Sequence, residues 1–333
     1  MTSVVTENME ALRNIAYEQI TNNVTLQQRL ATYFDEQLKE PLRTVLTGRQ
    51  MFAKQIIIGP DKYRVNYNKI KEMGSAFGSM TSPTVGSGLD NVRIDNTELD
   101  LVTHWKEYQI PRQDWQVFQA GGVNLNAIGA ISASYMTALY EDNTLINGWN
   151  ANMDGSTETI KGMTGVSTTS ITGSSFGTFQ GAMTTVANGW TAFDSARVQG
   201  CNMNLLCSPV QFNNLMKSVS TIGYPELPKV LEMLNPYPNM PKGTVIKSPT
   251  NQPTAAQVAA GQPGSPVLTA GTAVMAPVDP IGRFFDLVIG ANYINDVFIN
   301  GPSQMLSPMG GVVYTTFTPR FVYPEAIGVA TGC

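Results

Sequence analysis

Between Met9 and Leu46 the apolar residues recur at helical spacing. They fall at Met9, Leu12, Ile15, Ala16 and Ile20, then at Leu26, Leu30, Tyr33 and Phe34, with Asn22-Asn23 between the two groups. Pro41, after Glu40, marks a bend or a new helix start. The pattern predicts an N-terminal helical arm over 1–53, either packed on a core or reaching a neighbour. From Lys54 the period shortens to two. Tyr63, Val65 and Tyr67 alternate with Arg64, Asn66 and Asn68 after the Gly59-Pro60 turn. A Gly- and Ser-rich tip follows over 74–88. Val92, Ile94, Leu99, Leu101, Thr103, Tyr108 and Ile110 then form the returning strand. Residues 54–110 therefore read as an extended two-stranded loop, which is marginal alone in water and needs a partner.

Asn124 to Asn147 carries the clearest helical signal. Leu125, Ile128, Ser132, Tyr135, Leu139 and Ile146 lie near one stripe, four alanines favour the state, Asn124 suits the N-cap and Gly148 the end. Residues 154–175 are turn-rich. Further helices are predicted over 176–190, after Ser208-Pro209, and over 224–234. Strands are predicted over 201–207 and 244–247. Residues 248–278 hold no charge and are dense in Pro, Gly and Ala, which predicts a long loop. Three strand-like runs follow, over 284–290, 293–300 and 311–320, and a last short one over 327–330. No internal repeat is visible.

Composition changes the picture in one respect. Only 14% of the 333 residues are charged, against roughly 25% in an ordinary soluble protein. Either the surface is rich in Ser, Thr and Gly, as in an extracellular adhesin, or it is largely covered by neighbours. The net charge of −4 argues against a general nucleic-acid binder. Charge is unevenly placed, however. Lys39 to Lys71 holds eight basic residues against Glu40 and Asp61, whereas Gln113 to the end holds eight basic and twelve acidic. The basic run is either a solvated face or a contact with an acidic surface or polyphosphate. Cys201, Cys207 and Cys333 make no disulfide framework and no metal spacing, so a reducing compartment is expected. Neither a signal peptide nor a membrane span is legible.

Catalytic chemistry finds little support. His104 is the single histidine. It excludes a multi-histidine zinc site and would have to anchor any Ser-His-Asp triad. Its strand context beside Trp105 and Lys106 predicts a surface or interface role. Gly173-Ser-Ser-Phe-Gly177 matches the nucleophile-elbow pattern, which needs a buried strand before it, but the polar Thr168-Thr169-Ser170 precede it and the histidine lies upstream. No phosphate loop occurs. Glu141 and Asp142 are adjacent on a helix and point in different directions. No enzyme activity, metal or cofactor is expected.

The order of pieces is more informative. Helical arm, long two-stranded loop with a glycine tip, long helix, compact α/β portion and returning strands resemble the major capsid proteins of tailed viruses. These have the Hong Kong 97-type fold, shared with encapsulins. Local runs resemble the family too. Lys106-Glu-Tyr-Gln-Ile-Pro-Arg-Gln-Asp114 is similar to the strand entering the spine helix. Ala138-Leu-Tyr-Glu-Asp-Asn-Thr-Leu-Ile-Asn-Gly148 is similar to the end of that helix, and Ile160-Lys-Gly-Met163 to the turn after it. Leu205-Leu-Cys-Ser-Pro209, with Phe212 and Leu215, resembles the axial strand and helix. Tyr323-Pro-Glu-Ala326 resembles the C-terminal strand motif. The chain departs from the pattern at 248–278. No highly charged segment precedes the arm, which leaves maturation cleavage open.

The resemblance implies an α+β fold with an N-terminal arm (1–53), an extended loop (54–110), a peripheral domain with the spine helix (111–175 and 301–333) and an axial domain (176–300). It implies a structural protein, made in the host cytoplasm and located in the virion, that assembles with itself as hexamers and pentamers of an icosahedral shell around double-stranded DNA. Scaffolding, portal and decoration proteins are further partners of that family, and no membrane is involved. Lys54, Lys62, Arg64, Lys69, Lys71, Arg93 and His104 are the expected intersubunit contacts. Low charge suits a shell, since interfaces of about 800 Å² per partner with several neighbours would cover much of a subunit, and weak contacts add through multivalency. The runner-up is an encapsulin-type compartment around a cargo enzyme. A surface adhesin is the alternative of another class.

Overall fold

The computed structural model describes residues 47–70, 94–110, 125–150, 159–220, 223–250, 267–298 and 309–333. The predicted arm up to Leu46 and the glycine tip of the finger lie outside them, as does the Asn124 cap.

Two sheets organise these residues. The first has four strands in the order β1 (Gln55–Ile57), β11 (Phe285–Phe298), β12 (Met309–Phe321) and β4 (Val102–Ile110). The second has five, in the order β7 (Thr169–Thr172), β13 (Gly328–Thr331), β10 (Thr272–Pro277), β8 (Met203–Cys207) and β9 (Val245–Lys247). One apolar cluster runs between them. Leu145 and Ile146 join Leu287, Ile289 and Phe317 of the first sheet and Leu206 and Val274 of the second, all at most 1% exposed. A second cluster packs the five-stranded sheet against α4 (Gly181–Ser195) and α6 (Glu226–Leu234), through Val186, Phe193, Val230 and Leu234.

The strand pair β2 (Arg64–Ile70) and β3 (Ile94–Asp100) stands apart as a two-stranded sheet of its own. The predicted loop over 54–110 is thus corrected at both ends. β1 and β4 belong to the four-stranded sheet, and among the described residues of this range only β2 and β3 form the separate finger. Burial decides this: Val102 and His104 alternate inward on β4 and are 8% and 4% exposed.

Helix α2 (Leu125–Asn147) has 23 residues and lies across the four-stranded sheet. It ends where predicted. Gly148 takes φ +93°, and a Cβ there would stand 2.8 Å from the amide nitrogen of Gly162, so only glycine permits the crossing of these two turns. The buried stripe differs from the predicted one. Ala130, Ala133, Ala138, Leu139, Leu145 and Ile146 face inward, whereas Tyr135 is 38% exposed. After α2 come a hairpin of β5 (Gly148–Asn150) and β6 (Thr159–Lys161), then the short helix α3 (Met163–Val166).

Three further expectations change. The helix predicted over 176–190 begins at Gly181, because Gln180 is left-handed at φ 69°, and Phe176 is buried before it. The uncharged segment 248–278 is not one loop: its end is β10, the central strand of the five-stranded sheet. β10 lacks charge because Ala273, Val274, Met275 and Ala276 are fully buried. The runs at 284–290 and 293–300 form one long strand, β11, whose pairing with β12 slips between Ile289 and Ile294. β11, within the expected axial segment 176–300, joins the four-stranded sheet, while β7 and β13, within the expected peripheral segments, join the five-stranded one. The helix α5 (Pro209–Lys217) starts as read: Ser208 and Gln211 form a reciprocal capping box with Pro209 in the first turn.

Candidate assembly surface

The finger is amphipathic by register. Val65 pairs with Leu99 and Tyr67 with Thr97, while Arg64 pairs with Asp100 and Asn66 with Glu98. Alternation puts the first four on one face, half-buried, and the second four on the other. Leu101 N–H donates to the Tyr63 carbonyl at 2.9 Å and closes the root. Tyr67 lies under the Arg320 guanidinium, 5.3 Å from ring centroid to carbon. Arg320 is in turn held by Asp286, with Nε to Oδ1 at 2.8 Å. The root is therefore anchored to the body through the chain Tyr67–Arg320–Asp286.

Between finger root, β4, α2 and the β5–β6 hairpin runs a cleft of about 1240 Å³, lined by the continuous stretch 98–106 and by Tyr140, Trp149 and Phe321 among others. β4 is a terminal strand of its sheet. On it Trp105 is 64% exposed; Ile57, on β1 at the opposite edge of the same sheet, is 73% exposed, and Tyr63, just before β2, is 80% exposed. Large apolar side chains left in water beside an open strand edge mark an association surface.

The expected contact residues separate into three groups. Lys62 is exposed and bonds Asp61 at 2.6 Å. Arg64 is exposed and reaches Asp100 at 2.6 Å and Glu98 at 3.0 Å. Lys69 sits opposite Asp95 in the finger's register. Lys54 is half-buried at the start of β1. Among the described residues of the run, Lys62 thus meets an acid of its own segment and Arg64 meets two on the returning strand. Lys71 and Arg93 lie outside the described residues. His104 is a correction. It is not on the surface but inside the subunit, at 4% exposure. Its Nε2 bonds Thr144 Oγ1 at 2.9 Å, and its ring meets those of Tyr140 and Phe317 edge-on at 4.7 and 5.1 Å. Burial lowers its pKa to about 4, so the ring is neutral near pH 7. It ties β4 to the spine helix.

Sequence reasoning missed a second polar cluster. Glu141 and Asp142, dismissed as diverging neighbours, are both fully buried. Arg49, from the short helix α1 (Gly48–Met51), grips Glu141 with two nitrogens; Nη2 to Oε2 is 3.1 Å, and Nε bonds Oε1. Arg49 Nη1 also donates to Asn292 Oδ1 at 2.9 Å, and the Tyr293 hydroxyl donates to Glu141. The slip in β11 turns Asn292 and Tyr293 to this place, with Tyr293 at φ 46°. Asp142 accepts from Thr47 N–H at 3.1 Å, Thr47 Oγ1 at 3.0 Å and Gly48 N–H at 2.9 Å. Burial, with Glu141 adding repulsion, raises its pKa to about 7. The available signal was two acids on the buried side of an otherwise apolar helix end, which demands a partner. Among the described residues no group of His, Cys, Asp and Glu is arranged to hold a metal. No described helix is long and apolar enough to cross a membrane.

Comparison with known proteins places these features. The family model Linocin_M18, described as encapsulating protein for peroxidase, matches residues 22–275. No curated protein matches the chain. Among solved structures, the virus-like particle from Pyrococcus furiosus is similar at 14% identity and TM-score 0.55, covering 89% of this chain and 98% of its own. The capsid of Myoviridae phage XM1 is similar at 12% identity and TM-score 0.54, with 84% and 90% covered. A structure from Mycobacterium phage Cain gives 11%, 0.55, 86% and 89%.

Proposed function

The chain belongs to the Linocin_M18 family of encapsulating proteins, and from that premise we propose that its copies close, as pentamers and hexamers, into the icosahedral capsid of a tailed virus around double-stranded DNA. It has the Hong Kong 97-type α+β fold and is a shell-forming protein. The observation that carries self-assembly is the β2–β3 finger, which joins no other sheet among the described residues. Its apolar face and the exposed Trp105 need a second copy to cover them. In this reading the protein resides in the virion and no residue has a catalytic role. The virion reading draws on the phage structures, which match 84% and 86% of the chain at TM-scores of 0.54 and 0.55, beside 0.55 for the Pyrococcus particle.

One observation favours a second reading, a compartment around a protein cargo: the description of the family itself. Two features of the described residues are neutral between the two readings. Arg64 is paired with Glu98 and Asp100 within the finger, and the end of the uncharged segment, β10, is core strand. Nuclease-treated particles from the native source separate the two. Protected double-stranded DNA of uniform length is the expected result. Particles holding a folded protein and no DNA would overturn the virion reading and leave the shell intact.

A further inference from the structure

The loop between α6 and β9 is exposed and yet fixed. All seven residues from Pro236 to Lys242 are exposed, and exposed loops are ordinarily the mobile parts of a fold. At the base, Asn235 Nδ2 donates to the Gly243 carbonyl at 3.0 Å, and Gly243 N–H donates back to Asn235 Oδ1 at 2.6 Å. Gly243 permits this closure, since a Cβ there would overlap the Met203 carbonyl oxygen at 1.8 Å. Across the loop lies Asn202, 1% exposed. Its Nδ2 is shared among the carbonyls of Tyr237, Met240 and Pro241 at 3.0, 3.3 and 3.0 Å, and its Oδ1 accepts Tyr237 N–H at 3.0 Å. At the tip, Met240 N–H donates to the Tyr237 carbonyl at 3.2 Å. Pro238 follows Tyr237 in that turn, where its ring presets the backbone.

The surface so fixed is largely apolar. Tyr237 is 37% and Met240 44% exposed, and Lys242 is the one charge between Pro236 and Lys242. A second turn stands beside it. The Asn202 carbonyl accepts Val278 N–H at 2.8 Å, and the chain then turns around Asp279, 1% exposed, whose carboxylate accepts the N–H groups of Ile281 at 3.2 Å and Phe284 at 2.8 Å. That turn lifts Ile281 to 72% exposure. Both turns sit at one end of the five-stranded sheet, because β8 starts at Met203 where its antiparallel neighbour β10 stops at Pro277. Arg283, the other cation here, is drawn to Asp279 at 3.8 Å.

We infer that Tyr237, Met240 and Ile281 form a preformed contact through which a second copy of this chain docks, with Asn202 as the clamp that holds it ready. The inference rests on the shell-forming reading and adds the residues that touch. Preorganisation is the physical reason. A mobile loop loses freedom when it binds, whereas one already held by buried asparagines and prolines loses little, so its few apolar side chains count in full. Size selects the partner. A standard interface takes about 20–30 residues a side, far more than one loop and a turn, so this contact does not hold a lone partner by itself. It suits a closed ring of copies, where the same weak contact recurs and adds. Charge agrees, since a surface with so few ionic groups has no pattern by which to select an acidic or basic partner.

Assembly of the full-length chain, followed by light scattering over a concentration series, tests this. Met240→Asp puts a charge into the contact and should raise the concentration at which particles first form by about tenfold or more, with the urea midpoint of the subunit unchanged. Pro238→Ala keeps the exposed apolar groups and frees the turn; it should raise the same threshold by about two- to fivefold. A wild-type threshold in Met240→Asp would overturn the contact and leave the shell intact. A wild-type threshold in Pro238→Ala alone would overturn its being preformed. A wild-type chain that forms no particles at any concentration would overturn the inference together with the shell reading. Should Met240→Asp fail to fold, peroxide oxidation of the wild-type chain decides. Met240, read by mass spectrometry, should oxidise about fivefold or more slowly in intact particles than in dissociated subunits, and equal rates would refute the inference.

Discussion

The carboxylate of Asp142 accepts the backbone N–H of Gly48 at 2.9 Å, across 94 residues of chain. This single contact explains why a glycine stands at the head of α1. A methyl group there would press on Asp142 Oδ1 at 2.9 Å and Leu145 Cδ1 at 3.2 Å. Gly48→Ala should destabilise the subunit by about 1–3 kcal/mol, the usual cost of overpacking. Urea denaturation of wild type and variant measures the difference.

Arg49 and Glu141 form a buried pair, so the two should behave as a unit. Arg49→Leu leaves two buried carboxylates without a cation and should cost about 3–5 kcal/mol. Adding Glu141→Leu removes one stranded charge and should recover part of that loss. A double-mutant cycle by chemical denaturation reads the coupling; simple additivity would contradict the pairing.

His104 should make the subunit acid-sensitive. Its folded pKa of about 4 lies below the ordinary 6.5, because burial disfavours the imidazolium. The stability it contributes is present above pH 6.5 and is lost as pH falls from 6.5 towards 4, on the order of 3 kcal/mol in all. His104→Phe should flatten the melting temperature over this window. An equally steep decline in that variant would assign the effect elsewhere.

Trp105 separates assembly from folding. At 64% exposure, its replacement by Lys should change subunit stability by no more than about 0.5 kcal/mol. The same change puts a charge on the surface beside the open edge of β4 and should sharply lower the yield of particles, scored by electron microscopy. Particles formed at wild-type yield would remove β4 from the interface.

The long helix, the capped helix at Ser208 and the finger's alternation were legible because each rests on local spacing. Three features were not. β10 resembles a loop in sequence, since small residues and a flanking Pro and Gly are equally at home in a turn and in a strand buried on both faces. The slip in β11 reads as a gap between two strands, because periodicity cannot tell a bulge from a break. The seat around Asp142 joins residues 47–49, 141–142 and 292–293, and no pattern along the chain links them. The buried acids alone hinted that something distant must answer their charge. His104 failed for a related reason: strand alternation gives two faces but not which is inside, and the helix that covers one of them settled it.

Sedimentation velocity of the purified full-length chain at micromolar concentration addresses self-completion most directly. Closed particles of megadalton mass are predicted, in equilibrium with capsomers and with little free 36.1 kDa subunit. A stable species of 36.1 kDa at every concentration, its β2–β3 amides already protected from exchange, would contradict the account.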